Sequence, residues 1–150
     1  MSTVLTLKTI AESLGLEFIY ADLNYANWLK EGNYPNFPCL ILMPVTISDY
    51  RQTSGRLAST LEFEGYFLQA HTEETIQFDH LTKESDTIEP MRLIARKFIH
   101  QVDDSDLIDP ETTGIGDKVK YTPIYEMLDR HCFGVFVQAS FPIVENPTIC

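Results

Sequence analysis

Phe37-Pro38-Cys39-Leu40-Ile41-Leu42-Met43-Pro44-Val45 is a short apolar run closed by prolines, and Ser59-Thr60-Leu61-Glu62-Phe63-Glu64-Gly65-Tyr66-Phe67-Leu68-Gln69 alternates apolar with polar residues. Both read as strands. On the second, Leu61, Phe63 and Phe67 share one face and Glu62, Glu64 and Tyr66 the other, the pattern of a half-buried antiparallel strand. Between the two lies Thr46 to Ala58, too polar for a core and too long for a tight turn. It is expected as a projecting arm, of the kind that orders against a neighbour in an assembly.

Working outward, Leu7, Ile10, Ala11 and Leu14 fall at helical spacing, so a first helix is expected over Thr6 to Leu14, with Gly15 as its stop. Leu16 to Ala21 reads as a strand with Phe18 and Tyr20 on one face. Asn24 to Lys30, which holds Trp28, reads as a short helical turn, and Gly32 to Asn36 as a turn cluster. Ile76 to Asp79 is expected as an extended link. Met91, Ile94, Ala95, Phe98 and Val102 form the apolar stripe of a second main helix, with Arg92, Arg96, Lys97 and Gln101 on its polar side. Asp86 or Thr87 is its expected cap, and Pro90 requires that it start close before that residue.

Asp103 to Lys118 is expected as a second long loop. Val119 to Leu128 and Phe133 to Val144 form a hairpin around 129–132, with Val135, Val137, Ala139, Phe141 and Ile143 alternating along the last strand. Residues 145–150 are a tail. The expected fold is α+β: an antiparallel-rich sheet, two main helices packed on one face, and long projecting loops. The 150 residues, 44% of them hydrophobic, suffice for one domain over 1–150 with a real core.

The formal charge of -11 comes from 22 acidic against 11 basic residues. Such a surface is repelled by phosphate backbones, so tight nucleic-acid binding is not expected, whereas DNA could slide past it. Cys39, Cys132 and Cys150 show no CxxC spacing. The opening residues carry Lys8 and Glu12 rather than a secretion signal, and no apolar stretch approaches a membrane span. Intracellular synthesis with free thiols is the expectation.

No catalytic or metal motif is found, so no catalytic residue, cofactor or metal is assigned. Glu62 and Glu64 lie two apart on a strand, roughly 7 Å apart by strand rise, with both carboxylates on one face. That could serve glycoside chemistry, but alternating glutamates ordinarily solvate a sheet face. Asp103, Asp104, Asp106 and Asp109 lack the glycine and glutamate positions of a calcium loop. Acidic residues oppose a helix C-terminus, so the helix is expected to end before Asp103 or to have a basic partner near its end. His71, His80, His100 and His131 make no metal signature. A Cys–His pair such as Cys39 with a distant His could arise only by folding. Thr53-Ser54-Gly55 is not a serine-nucleophile elbow, and Gly114-Ile115-Gly116 is not a dinucleotide fingerprint.

Taken in order, Leu5 to Leu14, Phe37 to Val45, Ser59 to Gln69, Pro90 to Val102 and Val119 to Val144 resemble the tail-terminator and tail-completion proteins of tailed bacteriophages, and related neck ring proteins. Tyr34-Pro35, Phe37-Pro38 and Phe78-Asp79 add to the likeness; the length of the Asp103 to Lys118 loop departs from it. The resemblance implies a structural virion protein, not an enzyme. It would form a homo-oligomeric ring, commonly a hexamer, at the head–tail junction or tail end, and terminate or join the tail. Its partners would be copies of itself and portal, neck or tail tube proteins; DNA would pass without specific binding, and no membrane is involved. Tyr50, Arg51 and Arg56 on the arm are the expected subunit contacts, and Glu62 and Glu64 the expected channel lining. Two other classes fit the same residues: a small intracellular hydrolase-like enzyme whose carboxylates and histidines converge only in three dimensions, and a monomeric protein-binding adaptor.

Overall fold

In the computed structural model, residues 2–20, 36–51, 55, 57–72, 75, 79–109, 119–127 and 132–144 are described. The Asn24 to Lys30 turn with Trp28, the Gly32 to Pro35 turn, Arg56, Thr53, Ser54, His131, the glycines at 114 and 116, and the tail lie outside them.

Helix α1, Thr3–Ser13, begins earlier than its apolar spacing suggests because Ser2 caps it, its hydroxyl accepting from the Leu5 amide at 3.2 Å. It ends where expected. Gly15 takes φ 77°, its amide bonds the Glu12 carbonyl, and the Leu16 amide reaches back to Ala11. That closing pattern needs a left-handed residue, which glycine supplies without strain. Buried Leu16 then leads into β1, Glu17–Tyr20.

The apolar run forms β2, Cys39–Leu42, buried at every position. It pairs parallel with β1 and antiparallel with β4, Leu57–Ala70. The expected polar loop is corrected here: Thr46–Arg51 is strand β3, antiparallel to Leu57–Glu62 of β4. Its alternation carries no apolar face because neither face is buried; backbone pairing alone makes it a strand. Strands β5, Lys120–Met127, and β6, Cys132–Ile143, complete a six-stranded sheet in the order β1-β2-β4-β6-β5, with β3 beside β4. Pro123 lies in β5, at the sheet's edge, where a residue without an N–H is tolerated.

The second main helix is also corrected. It starts at His80 as α2, His80–Lys83, passes through a single π-helical turn, Glu84–Ile88, and continues as α3, Glu89–Asp103. Asp79, not Asp86 or Thr87, caps it, Oδ1 accepting from the Thr82 amide at 2.8 Å. Thr87 is instead buried, its hydroxyl donating to the Lys83 carbonyl. Pro90 is accommodated by the widened turn, in which the Glu89 amide bonds Glu84 five residues back. At the far end α3 includes Asp103, and Ser105 then bonds the Val102 carbonyl through both its amide and its hydroxyl. The residues that follow are held to β6: the Asp109 amide bonds Pro142, and the Val144 amide bonds Leu107; of the expected second loop, 110–118 lie outside the described residues.

Both helices lie on one face of the sheet. Leu7 and Ala11 of α1 and Met91, Ala95, Phe98, Ile99 and Val102 of α3 meet Phe63, Phe67, Val135, Val137 and their neighbours in the main core. Phe98 sits between Phe63 and Phe67, with ring centroids 5.6 and 5.3 Å away. On the opposite face Ile19, Cys39, Ile41, Leu68 and Cys132 form a smaller buried cluster. Next to it Tyr66 stacks on Phe136 at 4.6 Å.

Candidate functional site

Strand β3 and the first residues of β4 make a two-stranded ribbon. Every β3 residue is exposed except half-buried Tyr50, and among the described residues its outer edge has no strand partner. The last β4 residue paired to β6 is Ser59, opposite Ile143; Ala58 and Leu57 continue with only β3 beside them. The ribbon therefore overhangs the sheet. Ile47 is 41% exposed and Leu57 60%.

Register divides the ribbon into two faces. Ile47, opposite core residue Leu61, lies on the helix side, so Asp49, Arg51 and Leu57 do as well. Tyr50, opposite Ala58, lies on the other. Two of the expected contact residues thus sit on opposite faces, and Arg56 is outside the described residues. Arg51 bonds across the end of the ribbon, Nη1 donating to the Gly55 carbonyl at 2.7 Å, and Gly55 adopts φ 86° to make the turn. Farther in, Ser59 Oγ donates to Asp49 Oδ1 at 2.5 Å.

Glu62 and Glu64 are exposed on the face opposite the helices. Glu62 lies between Thr46 and Ser140 in the register, and Glu64 Oε1 accepts from Gln138 Nε2 at 3.5 Å. The second face of the sheet is thus apolar near β1 and β2 and acidic near the ribbon.

Among the described residues the two thiols lie together in the small buried cluster. The Cys39 thiol is buried, and that burial pushes its pKa well above the ordinary thiol value; burial pushes Cys132 up to about 12. Neither is a ready nucleophile. His71 is held between the Tyr125 carbonyl, which accepts from Nε2 at 2.6 Å, and Thr75 Oγ1, 3.0 Å from Nδ1. No three His, Cys, Asp or Glu converge as metal ligands among the described residues.

A polar cluster that the sequence pattern gave no means of assembling joins the π turn to β5. Arg92 Nη2 donates to Glu84 Oε1 at 2.6 Å, and Tyr125 donates its hydroxyl proton to Glu84 Oε2 at 2.9 Å. The Arg92 bond holds the Glu84 carboxyl below the usual carboxylate range, and the bond to Glu84 raises the Tyr125 phenol. Buried Lys83 faces Glu126 at 3.7 Å. These contacts fasten a sheet edge to a helix.

A groove of about 1210 Å³ runs beside the ribbon base. Its walls are the start of α1, the end of α3 with residues 104–107, Val144, and Val45 and Ile47 from the ribbon itself. A second, of about 800 Å³, lies on the other side of residues 103–109. Both were missed in the sequence, because their walls come from segments far apart in the chain, four in the first and three in the second. Among the described residues no helix is long and apolar enough to cross a membrane. Comparison of the chain with protein-family models, with curated proteins and with solved structures finds no match.

Proposed function

We propose that this chain is a structural virion protein of a tailed bacteriophage. It assembles as a homo-oligomeric ring at the head–tail junction or tail end, where it terminates or joins the tail and lets DNA pass. One observation carries the reading: a ribbon whose end overhangs the sheet, with every β3 residue but Tyr50 exposed and with Ile47 and Leu57 exposed beside buried Ala58 and Ser59. In an isolated molecule such an edge invites unwanted pairing, and a defined partner removes that hazard. Head-to-tail contacts that close on themselves give every copy the same partner.

The order of elements supports the same reading, as does the excess of 22 acidic over 11 basic residues, which suits a wall past which DNA moves. Glu62 and Glu64, exposed on the face opposite the helices, are the residues assigned to the channel. The chain acts here as a scaffold that makes and breaks no bond.

The test is the mass and shape of the purified chain, by light scattering and electron microscopy, alone and with portal or tail tube proteins. Rings are expected. A version in which Asn-Gly replaces residues 50–58, joining Asp49 to its cross-strand neighbour Ser59, should fold and fail to form them. A chain that stays monomeric alone and with those proteins would overturn the proposal. The β3 edge, without a strand partner among the described residues, also fits a second reading, an adaptor that takes a strand from another protein; that adaptor would bind its partner one to one without forming rings.

A further inference from the structure

Resting on the self-assembly proposed above, we infer that the groove beside α1 is the seat for the ribbon tip of a second copy of this chain. The groove is lined by apolar Val4, Ile10, Leu107 and Val144 and by acidic Asp104 and Asp106; among the described residues no lysine or arginine lines it. The ribbon end offers the complement. Leu57 and Arg51 are cross-strand partners, both exposed and on the same face. In a chain with twice as many acids as bases, residues 51–57 contain Arg51 and Arg56 and no acid. An apolar side chain flanked by arginine matches an apolar slot edged by aspartates.

The tip cannot fill its own groove. Val45 and Ile47, at the ribbon base, form one wall of it. A strand runs nearly straight, so Arg51 lies roughly 13 Å beyond Ile47 and away from that wall. The match of tip to groove is therefore assigned to a second copy. Donor tip and acceptor groove are different surfaces, which makes the contact head-to-tail and capable of closing into a ring.

Two variants test this through charge exchange: Arg51→Glu, and the double substitution Asp104→Lys with Asp106→Lys. Lysines after the end of α3 suit the helix dipole, so the groove variant is expected to fold. Each alone should associate roughly tenfold or more weakly than the natural chain by analytical ultracentrifugation. Mixed in equal amounts, they should assemble again, since native tip meets native groove and reversed tip meets reversed groove. Leu57→Ser, which leaves charge untouched, should weaken association without being rescued by the mixing. Circular dichroism and thermal melting establish that each variant is folded.

If the natural chain forms rings while both charge variants assemble as tightly as it does, or if mixing gives no recovery, the groove is not the seat and the ring reading survives. If the natural chain never assembles, alone or with portal or tail tube proteins, the ring reading falls and takes this inference with it.

Discussion

Strands β2 and β3 follow one another along the same edge of β4 and are bonded to it by the same antiparallel ladder, yet they live in opposite surroundings. Every residue of β2 is buried, with β1 on its outer side, helices over one face and the small cysteine-containing cluster on the other. Strand β3 pairs with β4 alone among the described residues, and all but Tyr50 of it is exposed. The ladder makes both into strands; burial decides where the stability resides, since a hydrogen bond exchanged with water nets little and buried apolar area nets much. The poorly buried strand keeps an outer edge with no strand partner among the described residues.

Substitutions can break or sharpen that contrast. The largest effect is expected at Gly134 of β6, where an added Cβ would meet the Phe67 carbonyl oxygen at 1.8 Å and the Leu68 Cα at 3.0 Å. Backbone cannot rotate aside as a side chain can, so Gly134→Ala should cost about 5 kcal/mol in urea unfolding, or prevent folding. Removing the ring of fully buried Phe98 should cost about 4 kcal/mol. A negligible change there would mean that the helices do not cover the sheet.

The direct comparison is Leu40→Ala in β2 against Ile47→Ala in β3. Leu40 is 0% exposed and should cost about 3 kcal/mol. Ile47 should cost below about 0.5 kcal/mol in stability. Equal costs would show that β3 is buried in the molecule as it exists in solution.

Strand β5 lies between these extremes, held to the helix by the Glu84 cluster. Tyr125→Phe should cost about 1 kcal/mol, since the bond is charged at one end but partly exposed. Folding lowers the Glu84 pKa, so its contribution is complete above the ordinary carboxylate pKa and fades as pH falls through the lowered value. Folding raises the Tyr125 pKa, so that contribution is complete below the ordinary phenol pKa and is lost as pH rises through the raised one. Glu84→Gln should flatten the acid limb of stability against pH; an unchanged limb would place that dependence on other carboxylates.

What could be read in advance follows the same division. The alternation in β4 and β6 and the stripe on α3 report burial, and all three elements fold as their patterns indicate. Strand β3 was illegible as a strand because Thr46, Ser48, Asp49 and Arg51 bury nothing, and hydrophobic periodicity detects burial rather than pairing. The early start of the second helix was hidden by Pro90, which ordinarily marks a beginning and here sits after a wide turn. Of the candidate site, the position of the arm was legible from the polar gap between two strands. Its faces depended on a register that no single strand reveals, and its groove on segments far apart in the chain.

The π turn has a mechanical meaning for the helix that carries it. One inserted residue advances the phase of everything upstream by about 100°, the angle per residue of an α-helix. Glu84 and Arg92, eight apart in number, then align as residues seven apart would, along a single line of the helix surface. Lys83 takes the inward position that Glu84 would hold in an unbroken α-helix, and Glu84 is left to reach Tyr125. Deleting one residue there would restore regular winding and spin the leading turn around its axis, carrying its anchorage on β5 away with it.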